Sequence, residues 1–167
     1  MASDIRIITT GGTFDKQYNP IEGQLTFIDS QLPKILKDSR CTSSIVLECP
    51  IAIDSLDMNE QQRKEIVSSM LNSPEEKVIV IHGTDTMTKT AELALKEKKS
   101  DDNHTIVFTG AMVPYSLKDS DAVYNLGGAQ IAVQLLPKGI YICMNGRIFD
   151  AGKVYKDKEA GIFREIE

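Results

Sequence analysis

Hydroxyls gather around glycines at two places in this chain. Thr9, Thr10 and Thr13 surround the pair Gly11–Gly12 in the run TTGGT, and Thr84 and Thr86 flank Asp85 in HGTDT. Glycine lets a backbone approach a ligand closely, and threonine oxygens offer that ligand hydrogen bonds or, beside a base, a nucleophile. A tight turn accounts for the glycines by themselves, because Gly-rich turns are common. Asp85 also has two readings, as a cap on the helix that follows or as the partner of a ligand ammonium group. Acid, hydroxyls and helix N-termini together suit a small zwitterion, its amine on Asp85 and its carboxylate on backbone N–H groups. A threonine hydroxyl attacks poorly until a neighbour takes its proton, and no histidine is suitably spaced to do so. Tyr18, just beyond the first loop, and a lysine are the candidate bases. A lysine acts only once deprotonated, which burial favours and a nearby carboxylate opposes.

The elements that must position these groups alternate between β and α patterns. Apolar, β-branched runs predict strands at 5–9, 44–48, 78–81, 105–108 and 139–144. Between them, DSQLPKIL opens a short helix, and DMNEQQRKEIVSSMLN repeats its apolar residues at fourfold spacing behind the cap candidate Asn59. DTMTKTAELALKEK sets Met87, Ala91 and Leu95 on one face, whereas DAVYNLGGAQIAVQLL is apolar nearly all round and is expected to be deeply covered. This alternation predicts an α/β domain around a mostly parallel open sheet. In such sheets ligands bind outside the carboxyl ends of the strands, and those ends here carry TTGGT, IDSLD, HGTDT and TGAM. Four strand ends rich in small and hydroxylic residues favour a site over four unrelated turns.

Composition narrows the chemistry. A length of 167 residues suits one domain with a proper core. The net charge of -5 argues against a nucleic-acid surface, which needs a basic patch. No run approaches the ~20 apolar residues of a membrane span, and MASDIRIITT lacks the marks of a signal peptide, so a cytoplasmic protein is expected. Cys41, Cys49 and Cys143 lack metal-ligand spacing and read as reduced packing thiols; with His82 and His104 they form no recognised zinc pattern. Neither phosphate-binding glycine motif occurs in the strand-to-helix turns, which leaves a flavodoxin-like nucleotide binder with fold analogy alone.

The segments TTGGTFDK, HGTDTMTKTAELA, VFTGAMVPYSLKDSDAVYNLGGA and MNGRIFDAGKV, in that order, resemble the bacterial-type L-asparaginase family and specifically its N-terminal domain. The resemblance runs over nearly the whole chain. It implies a three-layer, flavodoxin-like α/β domain over 1–167, and hydrolysis of L-asparagine to L-aspartate and ammonia by a threonine nucleophile, with no metal or organic cofactor. Thr10 aligns with that nucleophile and Tyr18 with its activating tyrosine. Thr84 and Asp85 match a threonine–aspartate pair whose aspartate holds the substrate amine, and Lys156 matches the lysine that pairs with them. Ser55 matches a serine that binds the substrate carboxylate, and Thr13 a supporting hydroxyl. Backbone N–H groups near Gly11 or Gly83 are expected to hold the oxyanion.

Two departures qualify the match. Leu56 stands where the family usually has a glutamine, and the chain ends at Glu167, where family members continue into a C-terminal domain. The expectation is therefore a single-domain enzyme, acting on L-asparagine or L-glutamine, that completes its site by forming a dimer or tetramer. The rival expectation is a binding or sensor module that keeps the pocket and has lost turnover.

Overall fold

A computed structural model describes residues 4–167. Its sheet contains β4 (Ile45–Glu48), β1 (Ile5–Thr9), β5 (Lys77–Ile81), β6 (Thr105–Thr109), β7 (Gly139–Met144) and β8 (Arg147–Asp150), adjacent in that order. All neighbours are parallel except β7 and β8, which form a hairpin. The expected mostly parallel α/β sheet is thus present, with all five expected strands in it.

Alternation within the strands builds two cores. In β5, Val78 and Val80 face one side while Ile79 and Ile81 face the other, and all four are fully buried. Each such side chain contributes about 1.5–3 kcal/mol by leaving water. One layer packs α2 (Glu60–Leu71) and α3 (Met87–Glu97) on the first face; the other packs α1 (Leu32–Asp38) and α4 (Ala122–Leu135) on the second. Asn59 caps α2 as its position suggests. Its side chain accepts from the Gln62 amide, and the Gln62 side chain accepts from the Asn59 amide.

The strand order decides where the loops meet. The chain leaves β1 for β4 on one side, then crosses back over β1 to β5 and continues toward β6 on the other. The direction of progression reverses between β1 and β5, so their carboxyl-end loops flank a crevice of the kind in which open α/β sheets bind ligands.

Two short hairpins lie outside the strand pattern expected from sequence. β2 (Lys16–Asn19) pairs with β3 (Gln24–Phe27), and β9 (Val154–Asp157) pairs with β10 (Ile162–Glu165). The β7–β8 turn is Asn145–Gly146, both residues at positive φ, the geometry that matches the twist of paired strands.

One expectation is corrected. α4 is not deeply covered: Tyr124, Ile131 and Leu135 are 69%, 59% and 79% exposed. The sheet packs against one side of this helix, through Ala122, Leu126, Ala129 and Val133, while Tyr124, beside Gly146 of the β7–β8 turn, and Ile131 and Leu135 stay largely exposed.

Candidate active site

Four strand-end loops converge at the crevice, and their glycines show how tightly. Gly12 follows Gly11 beyond β1, and a methyl group added to it would lie 2.6 Å from the Gly83 nitrogen. One added to Gly83 would lie 2.5 Å from the Ser55 hydroxyl, and one on Gly110 would lie 2.4 Å from the His82 carbonyl. The loops after β1, β4, β5 and β6 are therefore in direct backbone contact, which needs glycine at each crossing. The bridge is completed by main-chain bonds, with the Ile53 amide donating to the Thr10 carbonyl and the Gly12 amide to the Ile53 carbonyl.

Thr10 is wholly buried, and its hydroxyl donates to the Ile81 carbonyl at 2.9 Å. That carbonyl orients the hydroxyl without taking its proton. One loop away, Lys156 reaches in from β9. Its ammonium donates to the Thr84 hydroxyl and to the Asp85 carboxylate, each at 2.8 Å. The lysine side chain is 11% exposed and the aspartate 33%, so the pair stands at the rim of the protein rather than in its centre.

The remaining candidates are distributed unevenly. Ser55 is buried, and its carbonyl accepts from the Thr86 hydroxyl at 2.9 Å. Gly11 and Gly83 lie in the touching loops. Thr13 begins a short 3-10 turn and is half-buried. Tyr18 stands apart, on β2, 58% exposed and with no side-chain hydrogen bond among the described residues. Leu56, at the position noted for its lost amide, is exposed. The hairpin carrying Tyr18 is tied down at its base: Lys16 pairs with Asp54 at 2.5 Å, and the Ser116 hydroxyl donates to the Lys16 carbonyl.

Several polar groups around the site were given no role by the sequence, although His82 opens HGTDT and Asp121 lies in the segment that follows TGAM. His82 is fully buried; its Nδ1 lies 2.8 Å from the Gly83 carbonyl and its Nε2 2.8 Å from the Thr90 hydroxyl. Burial first, opposed by the Gly83 hydrogen bond and assisted by the Arg63 charge, pushes its pKa down to about 4. Arg63 is buried beneath the same loop and donates to Thr86 and Thr90. A weaker signal for Arg63 was present: it falls on the buried stripe of α2 with Ile66, Val67 and Met70, one turn before them. Asp121 holds the loop after β6 by accepting from the amides of Met112 and Val113.

A second cleft, of about 510 Å³, runs along α4 and the β7–β8 hairpin between Tyr124, Gly128, Ile131 and Ile148. No charged side chain lines it. No three His, Cys, Asp or Glu residues among those described are grouped to hold a metal ion, and no described helix is long and apolar enough to cross a membrane.

Comparison with known proteins places this geometry. Residues 4–162 match the family model described as Asparaginase, N-terminal. A protein named probable L-asparaginase periplasmic, from Haemophilus influenzae, is 28% identical over 176 residues, covering 95% of this chain and 48% of the relative. A glutamyl-tRNA(Gln) amidotransferase component from Methanococcus vannielii is 26% identical over 153 residues, covering 88% of this chain and 35% of the relative. The solved structure of the thermostable L-asparaginase from Thermococcus kodakarensis superposes with a TM-score of 0.86 at 22% identity, over 98% of this chain and 51% of that one. The chain spans about half the length, or less, of the curated relatives it matches. With residues 4–162 of its 167 matched by the family model, on a sheet whose strand-end loops meet as described, the chain belongs to the asparaginase family as a domain of the N-terminal type.

Proposed function

We propose that this domain carries the acyl-transfer machinery of an L-asparaginase-type amidohydrolase. The observation that carries the reading is the joint placement of Lys156 on Thr84 and Asp85 beside a loop pair that brings Thr10 within two residues of the Gly12–Gly83 contact. In this reading the Thr10 oxygen bonds to the side-chain amide carbon of L-asparagine. Its proton passes to Tyr18, or through the Thr84 hydroxyl to Lys156 in its neutral amine form, and is delivered to the departing nitrogen as the C–N bond breaks and ammonia leaves. Water then opens the ester, releasing L-aspartate and restoring Thr10. Backbone N–H groups at Gly11 or Gly83 hold the oxyanion, Asp85 the amine, and Ser55 the carboxylate; Thr13 supports the first loop. L-Glutamine is the competing substrate of the same chemistry.

The test is ammonia release from both amides by the wild type and by Thr10→Ala. Loss of about 10²-fold or more supports the nucleophile, and undiminished turnover refutes it. A second reading, a binding module without turnover, is favoured by the exposed Leu56 at a substrate-facing family position. Calorimetric binding of L-asparagine with no ammonia produced would decide for it. We further read the chain as a homo-oligomer, which the exposed apolar side chains Tyr124, Ile131 and Leu135 of α4 support. Light scattering that returns a monomer at micromolar concentration counts against that part.

A further inference from the structure

Arg63 is 4% exposed and has no carboxylate within hydrogen-bond reach. The nearest, Glu60, is 3.7 Å away and itself mostly in solvent, and the Arg63 Nε has no partner among the described residues. Burying a cation on such terms is costly, and an apolar residue matching Ile66, Val67 and Met70 on the same stripe would serve stability at least as well. What an apolar residue could not do is donate. One terminal nitrogen of Arg63 donates to the Thr90 hydroxyl at 2.6 Å, to the Thr86 hydroxyl at 3.2 Å and to the Thr86 carbonyl at 3.4 Å, and the other to the Met58 carbonyl at 3.4 Å.

Those donations start two hydrogen-bond strings whose direction agrees with the acceptor-only carbonyls at their far ends. A hydroxyl that accepts from Arg63 turns its own proton away. The Thr86 proton then goes to the Ser55 carbonyl at 2.9 Å. The Thr90 proton goes to His82 Nε2 at 2.8 Å, which leaves the ring proton on Nδ1, where it donates to the Gly83 carbonyl at 2.8 Å. The tautomer follows from the partners, since a carbonyl can only accept and an Arg N–H can only donate. The first string ends on the Ser55 loop and the second on the peptide leading into Thr84 and Asp85.

We propose that Arg63 is a positioning residue: by donating to both Thr86 and Thr90, where the two strings begin, it holds the Ser55 loop and the 82–86 turn in a single relative geometry. Its consequence for substrate binding rests on the amidohydrolase reading above, because Ser55 and Asp85 are the groups assigned there to the carboxylate and the amine. Thr10 is anchored separately on Ile81. Loosening Arg63 therefore acts on substrate affinity more than on the chemical step.

The test uses Arg63→Met, Arg63→Lys and Thr90→Val in the full chain, with two readouts. Kinetics with L-asparagine should show KM raised about 30-fold in Arg63→Met with kcat changed less than about threefold, and part of the loss recovered in Arg63→Lys. Nitrogen–proton correlation spectra should show the His82 ring as the Nδ1–H tautomer throughout, since the Gly83 carbonyl can only accept, with the Nε2 shift moved in Arg63→Met and Thr90→Val and amide shifts at Ser55, Gly83 and Thr84. A folded Arg63→Met with unchanged KM and unchanged spectra overturns the proposal. Should Arg63→Met fail to fold, Thr90→Val cuts the His82 string alone and decides by the same criteria. If the wild type releases no ammonia, the amidohydrolase reading fails, while the spectra still decide whether Arg63 orders the two loops.

Discussion

Gly12→Ala should damage this protein far more than an identical change at Gly23, although both glycines have positive φ. Gly12 sits at φ 71 and ψ -177, a conformation essentially reserved for glycine, which costs a residue with a side chain about 1–3 kcal/mol. Its added methyl would also lie 2.6 Å from the Gly83 nitrogen and 2.7 Å from the Gly83 Cα, backbone atoms that no rotamer change can move. Carbon contacts are comfortable only near ~3.5 Å, so the two loops must part by roughly 0.8 Å, and overpacking of that kind adds about 1–3 kcal/mol. The combined loss is about 4 kcal/mol, which for a chain of this size lowers Tm by about 8–16 °C. Gly23 has φ 68 with no atom within 4 Å of an added methyl, so only the conformational cost remains, about 1 kcal/mol and about 2–4 °C. Thermal melts of the two variants against wild type measure the difference directly. Loops parted by that amount should also lower ammonia release by about 10²-fold in Gly12→Ala alone. If the two variants melt within about 2 °C of each other, the β1 and β5 loops are not in the contact on which the site depends.

Lys156→Met should lower kcat for L-asparagine by about 10²-fold or more while moving Tm by less than about 3 °C, since Asp85 stays partly in water when its partner is lost; a melt that falls steeply with activity intact would make Lys156 a structural cation. His82 supplies a pH signature. Its folded pKa of about 4 lies below the ordinary value of 6.5, so the unfolded chain binds the extra proton and stability falls as the pH drops from 6.5 toward 4. The full loss is about 3 kcal/mol. Urea unfolding at pH 6.5 and pH 4.5 should show a smaller drop for His82→Gln than for wild type, and equal drops would mean the ring is not buried neutral.

Much of the candidate site was legible because its residues are chemically unusual where they stand. A β-branched strand that stops in TTGGT, and a second that stops in HGTDT, announce loops with oxygens and room for close approach. The five parallel strands were readable for the same reason, each being a short apolar run between helical patterns. The hairpins were not, because β2, β3, β9 and β10 are short, half-exposed strands whose mixed polar residues carry no clear period. The Asn145–Gly146 dipeptide was the one local mark of the β7–β8 turn.

Sequence by itself determined the α/β alternation, the strand ends that carry oxygens, and the membership of Thr10, Ser55, Thr84, Asp85 and Lys156 in one set of candidates. Tertiary structure alone decided that β1 and β5 are neighbours across a reversal, so that Gly12 touches Gly83, and it set Lys156, the lysine that the family resemblance pairs with Asp85, 2.8 Å from that carboxylate. It alone revealed that Arg63 and His82 support the loops from below, and that Tyr124, Ile131 and Leu135 of α4 stay exposed. The reason is that periodicity records which way a side chain faces within its own element, whereas the partner it meets depends on the order in which strands assemble, and no local pattern encodes that order.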